Sequence, residues 1–266
     1  MRLLCAYCKV MSVIAVTLGV YAVFIAGYGL LRILNRPVDN WRNVSLSAWG
    51  RWAAKTLSIK VHVNGPVPEP PFFLVCNHLS YIDIIVLFSQ LNTTFVAKSE
   101  VANWPVIGFI ARTVGVVFID RTRRSDITRV NEEISNSVTD LRGLTLFPEG
   151  TTSPGSEVLR FRASLLEYPA RSELGAHYCA LSYSTNTKES NDEAYKIVSW
   201  WDETTLNAHI VRLAKQPIVH ATITFGNSVI KERDRKILSK KLHLEVSRLF
   251  NPMCSSRDTE FEPIQF

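Results

Sequence analysis

Phe72-Phe73-Leu74-Val75-Cys76-Asn77-His78-Leu79-Ser80-Tyr81-Ile82-Asp83 decides how this chain is read. Residues 72–76 are apolar throughout, as a buried strand is. Residues 84–91 read as an apolar helix. His78 and Asp83 therefore sit where a strand's carboxyl end turns into a helix, the place where open α/β sheets usually build their sites. A histidine titrates near neutral pH, and a carboxylate beside it fixes its tautomer and raises its basicity. Such a pair can strip a proton from an alcohol. A structural reading competes. Ser80-x-x-Asp83 has the form of a capping box, and an aspartate in a first turn stabilises a helix without any chemistry. The motif alone leaves both open.

Outward from this stretch, Gly65-Pro66-Val67-Pro68-Glu69-Pro70-Pro71 is a breaker. Beyond it the pattern predicts strands at 72–76, 94–97, 114–119, 144–147, 177–183, 195–200 and 218–225. It predicts helices at 84–91, 127–141, 204–214 and 233–250. Strands separated by helical patterns predict an α/β fold, with a mixed central sheet flanked by helices. Residues 251–266 lack periodicity and read as a mobile tail.

The N-terminal region is of another kind. Residues 10–31 carry no formal charge and are bounded by Lys9 and Arg32. At 1.5 Å per residue they would make about 33 Å of helix, enough to cross a bilayer core. The segment is long for a signal peptide and lacks a clear A-x-A cleavage site. It either spans or re-enters one leaflet as a hairpin around Gly27-Tyr28-Gly29. Arg32, Arg36, Arg42, Arg51 and Lys55 after it outnumber Arg2 and Lys9 before it, which predicts a globular part on the cytoplasmic side. Trp41, Trp49 and Trp52 recur at helical spacing and suit an interfacial helix or a packed one. The division expected is an anchor over 1–58, an α/β domain over 59–250 and the tail.

Composition narrows the function. The 266 residues carry a formal charge of +6, from 30 Lys plus Arg against 24 Asp plus Glu. That excess fits an anionic membrane or anionic substrates. No Arg/Gly-rich tract, zinc spacing or RNP-like motif supports nucleic acid. Five cysteines, an odd number, make no disulfide framework, and Cys5-x-x-Cys8 has no second pair to complete a metal site. His62, His177, His209, His220 and His243 show no HExxH spacing, and Gly-x-Ser-x-Gly is absent.

Three further segments end predicted strands. Ile119-Asp120-Arg121 offers a guanidinium fork that could grip an oxyanion, in a run with Arg123 and Arg124. Phe147-Pro148-Glu149-Gly150-Thr151-Thr152-Ser153 breaks a strand into a turn where Gly150 permits close backbone approach. Residues 218–229 form a strand running into Gly226.

Together these resemble the glycerolipid acyltransferase family, the 1-acyl-sn-glycerol-3-phosphate acyltransferases and their relatives. Asn77, His78 and Asp83 match its Asn-His-x4-Asp block. Ile119-Asp120-Arg121 and Phe147 to Thr151 match the second and third blocks, in order, and 218–229 loosely fits a fourth. Val96-Ala97-Lys98-Ser99-Glu100, Trp104-Pro105-Val106-Ile107-Gly108 and Trp200-Trp201-Asp202 add smaller likenesses. The resemblance implies that His78 is the general base on a lysolipid hydroxyl, oriented by Asp83, and that the alkoxide attacks an acyl thioester directly. It implies a head-group pocket of Arg121, Glu149, Gly150 and Thr151, with Lys98 beside it. It implies no metal and no cofactor beyond the thioester, whether acyl-CoA or acyl carrier protein. The partners implied are a lysolipid, the thioester donor and the bilayer. One departure bears on the acceptor: many phosphatidate-forming members carry arginine where Thr152 stands. Members acting on other lysolipids, lyso-ornithine lipid among them, resemble the Thr-Thr-Ser form. Arg121 to Arg124, or Arg160 and Arg162, could supply the missing charge. A membrane-tethered lipid-binding protein with the same fold would not need His78.

Overall fold

The computed structural model describes residues 2–120, 126–185 and 194–255. In chain order its elements are α1 (Arg2–Ile33), α2 (Asp39–Thr56), β1 (Ile59–Asn64), β2 (Phe73–Cys76), α3 (Ile82–Gln90), β3 (Thr93–Lys98), α4 (Ile107–Thr113) and β4 (Val117–Ile119). There follow α5 (Asp126–Ser137), β5 (Gly143–Leu146), α6 (Glu167–Arg171), β6 (His177–Thr185), α7 (Ala194–Val198), α8 (Leu206–Ala214), β7 (Val219–Phe225) and α9 (Arg235–Leu249).

Among the described residues the seven strands form one mixed sheet in the order β1-β7-β6-β2-β5-β3-β4. The run from β6 to β4 is parallel, β7 lies antiparallel to β6, and β1 pairs parallel with β7. This explains the composition of β2. A central parallel strand is covered on both faces, and residues from Phe72 to Cys76 are all fully buried. β7 instead alternates, with Val219, Ala221, Ile223 and Phe225 inward and His220, Thr222 and Thr224 half-exposed. Because β2, β5, β3 and β4 run the same way, their carboxyl ends at Cys76, Leu146, Lys98 and Ile119 gather on one edge.

α1 is one unbroken helix through Gly27-Tyr28-Gly29. The reversal comes later, at Asn35 (φ +51°), after which α2 folds back. Trp41 Nε1 donates to the Phe24 carbonyl at 3.0 Å and Trp49 Nε1 to Thr17 Oγ1 at 3.0 Å. Two of the three tryptophans thus bind α2 to α1, and Trp52 stays exposed beneath the Lys55 ammonium. Gly27 is required there, since a Cβ would lie 2.4 Å from the Trp41 ring. α1 also lies along the α/β domain. Lys9 Nζ donates to the Gln216 carbonyl just after α8, and Tyr21 Oη bonds Thr113 Oγ1 at the end of α4. Its other face exposes Leu4, Met11, Ile14, Leu18, Val23, Ile25 and Leu30.

Three sequence expectations are corrected. Residues 195–200 are not a strand: α7 occupies Ala194–Val198, with Tyr195, Ile197 and Val198 buried. A short apolar run does not by itself separate strand from buried helix. The strand expected from 114 begins at Val117, because Val114 caps α4 and Gly115 takes φ +86°. The start of the tail is tied down: the Asn251 amide donates to Ser182 Oγ and the Met253 amide to the Gly155 carbonyl. Residues 256–266 lie outside the described residues.

Candidate active site

Asn77 ends β2 by clamping it to β6. Its Nδ2 donates to the Leu181 carbonyl at 3.0 Å and its Oδ1 accepts from the Leu181 amide at 2.7 Å. The next residue, His78, leaves the sheet at its carboxyl edge. Its Nδ1 lies 2.8 Å from Asp83 Oδ2. The same oxygen accepts from the amides of Leu79 at 2.7 Å and Ser80 at 3.0 Å, and Oδ1 accepts from Tyr183 Oη at 2.7 Å. Asp83 has no exposed surface. Four donors converge on this carboxylate, which is how a buried charge is made tolerable. The structural and chemical readings of the aspartate thus coexist, since it ties the turn's backbone and holds the imidazole. The Ser80 hydroxyl, by contrast, has no partner and makes no cap.

Facing a carboxylate, Nδ1 is the protonated nitrogen of the neutral ring, which leaves Nε2 as the acceptor. Nε2 has no hydrogen-bond partner among the described residues, and the side chain is 20% exposed. The ring lies flat on Phe147, with centroids 4.1 Å apart and planes at 15°. Phe147 in turn stacks on Phe95 of β3. The imidazole is therefore fixed on one nitrogen and one face and open on the other nitrogen.

The turn after β5 holds the backbone of His78. Gly150 takes φ +78°, which lets the chain reverse directly beneath the histidine. Glu149 is 3% exposed, and its Oε1 accepts from the His78 amide at 2.9 Å. The Ser153 amide donates to the His78 carbonyl at 3.1 Å. Burial pushes the Glu149 carboxyl well above its ordinary range; the amides of His78 and Leu159 oppose that shift, and the Asp83 charge adds to it. Oε2 is buried and closes no hydrogen bond. Thr152 Oγ1 donates to the Trp200 carbonyl at 2.5 Å, and the Trp200 amide donates to the Leu79 carbonyl at 2.9 Å. Residues 78–79, 149–153 and 200 thus form one braced layer over the sheet edge.

Of the residues singled out from sequence, the structure brings His78, Asp83, Glu149 and Gly150 together. Glu149 faces the backbone of the turn rather than the open side. Thr151 stands beside them, its hydroxyl 3.5 Å from the Thr152 carbonyl. Lys98 ends β3 two strands away, 3.8 Å from Glu100. Arg121, with Arg123 and Arg124, lies outside the described residues. Sequence reasoning missed Tyr183. It sits on β6, far from His78 in the chain, and nothing local marks it.

The arrangement can take a proton at Nε2 and hold the resulting imidazolium against Asp83. Cys76, the thiol nearest in sequence, is buried, and burial pushes it well up, so it stays protonated. No group of three metal-ligating side chains occurs among the described residues.

The chain is similar to known acyltransferases. The family model for acyltransferases matches residues 58–179. A lyso-ornithine lipid O-acyltransferase of Brucella abortus is 28% identical over 231 residues, which is 83% of this chain and 86% of that protein. A 1-acyl-sn-glycerol-3-phosphate acyltransferase of Neisseria gonorrhoeae is 34% identical over 139 residues, 52% of this chain and 54% of that one. In fold the chain is similar to the 1-acyl-sn-glycerophosphate acyltransferase of Thermotoga maritima, with a TM-score of 0.56, 21% identity, and coverage of 91% of this chain and 97% of that one.

Proposed function

We propose that this chain, similar to the acyltransferases over residues 58–179, is a membrane-bound O-acyltransferase moving an acyl chain from a thioester to the free hydroxyl of a lysolipid. The observation that carries the reading is the His78 Nδ1 to Asp83 Oδ2 contact of 2.8 Å, which leaves Nε2 open. In this reading Nε2 takes the proton of the acceptor hydroxyl as its oxygen attacks the thioester carbonyl. The tetrahedral intermediate then collapses, the carbon–sulfur bond breaks, and the imidazolium returns the proton to the leaving thiolate. Asp83 holds the imidazolium between the two transfers. Glu149, through the His78 amide, holds the base in place. No metal enters any step. The donor is acyl-CoA or acyl carrier protein.

α1 supplies the attachment. It is long and apolar enough to cross a membrane. Because one face is docked on the domain at Lys9 and Tyr21 and on α2 at Thr17 and Phe24, the exposed apolar face suits lying within one leaflet beside the domain. The basic residues after α1 favour a domain on the cytoplasmic side.

The acceptor is 1-acyl-sn-glycerol-3-phosphate in the first reading, with Arg121 and the basic run behind it gripping the phosphate. A lyso-ornithine lipid is the second. It is favoured by the relative from Brucella abortus, matched over most of its length, and by Thr152, whose hydroxyl is committed to the Trp200 carbonyl. Purified full-length protein, offered both lysolipids with an acyl thioester and read by lipid mass analysis, tests both. Acylation of the phosphate lipid alone selects the first reading, and of the ornithine lipid alone the second. No acylated product, with the protein folded, would overturn both.

A further inference from the structure

We propose that residues 104–109 form a second lipid-facing surface, which enters the same leaflet as α1 beside the sheet edge that carries His78. The proposal rests on the attachment reading above and adds a surface to it.

Trp104, Val106, Ile107 and Phe109 are all exposed, Val106 at 62% and Phe109 at 61%. Their exposure is built in. The Ile107 amide donates to the Pro105 carbonyl at 2.6 Å, closing a three-residue turn with Val106 at φ +63° and ψ −57°. That is a rare and strained turn, and a β-branched residue is poorly suited to it. Gly108 clamps the turn against the preceding helical turn Ser99–Asn103, where a Cβ would lie 2.3 Å from the Ala102 carbonyl oxygen. The apolar tips are held outward on a rigid base. In water nothing offsets either the strain or the exposed area, and such clustered apolar surface marks a contact.

Continuity with α1 identifies the occupant as the acyl layer of a bilayer. The Phe109 ring meets Tyr21 edge-on at 6.3 Å, and Tyr21 Oη bonds Thr113 Oγ1 at 2.8 Å. Leu18 and Ile25, about one helical turn either side of Tyr21, are exposed. The apolar face of α1 therefore continues onto this turn. β3, which leads into the turn, and β2, which leads into His78, run parallel and end on the same edge. An acceptor could then keep its acyl chain in lipid while its hydroxyl reaches Nε2.

The test uses the full-length protein in phosphatidylcholine–phosphatidylglycerol vesicles whose acyl chains carry bromine. The emission of Trp104 is obtained as the difference between wild type and Trp104→Phe. It is expected to be quenched by the brominated chains and shielded from aqueous iodide. Quenching by iodide and not by bromine would overturn the proposal. So would shielding that depends on protein concentration without vesicles, which would assign the face to a second copy. Val106→Glu with Phe109→Glu should stay on vesicles through α1, and should lose several-fold more activity on a bilayer acceptor than on one dispersed in detergent. Equal loss on both would mean a structural role only. A wild-type protein that fails to float with vesicles would overturn the attachment itself.

Discussion

Tyr183 Oη donates to Asp83 Oδ1 at 2.7 Å, on the oxygen opposite the one that holds His78. The two bonds draw on one negative charge. A hydrogen bond to a buried charged group contributes about 1.5–3 kcal/mol. In Tyr183→Phe that bond is gone, and Oδ1 loses its buried donor. Turnover should fall with the acceptor KM unchanged, because Asp83 then holds the imidazole less firmly in place. An unchanged kcat in a variant with a lowered melting temperature would show a purely structural role for the tyrosine. The assay is thioester release, read beside a melting curve.

Asp83→Asn separates capping from catalysis. An asparagine oxygen can still accept from the amides of Leu79 and Ser80, so the turn should hold. The charge that steadies the imidazolium is lost. A near-normal melting curve with turnover reduced about 10²–10⁴-fold is expected, matching His78→Ala. A variant acylating at the wild-type rate would end the pairing as a catalytic idea.

Glu149→Gln tests the brace under His78. Burial pushes this carboxyl well up, and an amide in its place keeps an oxygen that can still accept from the His78 amide. Activity should be largely retained in Glu149→Gln and lost in Glu149→Ala, which leaves that amide unpaired at about 1–3 kcal/mol. Equal loss in both variants would point instead to direct contact between the carboxylate and the acceptor. Steady-state kinetics on both variants give the answer.

His209 makes stability depend on pH. It is fully buried, bonded to Tyr81 Oη and to the Ser199 carbonyl, and burial lowers its pKa from 6.5 to about 4. The folded state therefore resists a proton that the unfolded chain accepts. Stability contributed by the neutral ring is complete above pH 6.5 and is lost as pH falls from 6.5 to about 4, by about 3 kcal/mol in all. Melting temperatures across that window should fall in the wild type and fall less in His209→Gln.

The lie of α1 is testable through its own thiols. Cys5 and Cys8 are exposed near its N-terminus. If α1 lies in one leaflet beside the domain, an impermeant maleimide should reach them from the domain's side of sealed vesicles, in a Cys254→Ser background. Labelling from the opposite side only would show a helix that spans.

Short-range features were legible in the sequence. The unbroken apolar run of β2 announced a strand buried on both faces, and the four residues between His78 and Asp83 close a turn that places imidazole and carboxylate in contact. The failures have physical causes too. The strand expected at 195–200 is α7, because an apolar run that short fits either geometry. The contact of Glu149 Oε1 with the His78 amide was not legible either, because it exists only where β5 lies beside β2.

The sequence alone determined that a strand–turn–helix would carry a histidine and an aspartate in local reach, and that the N-terminus would be an apolar helix, since both follow from contacts a few residues apart. Tertiary structure decided the rest. Strand order set Tyr183 behind Asp83, Glu149 beneath His78 and Trp200 over Thr152, and docking on α4 and on Gln216 beyond α8 laid α1 along the domain. These pairings span many tens of residues, and only the folded sheet brings such distant side chains within hydrogen-bonding distance.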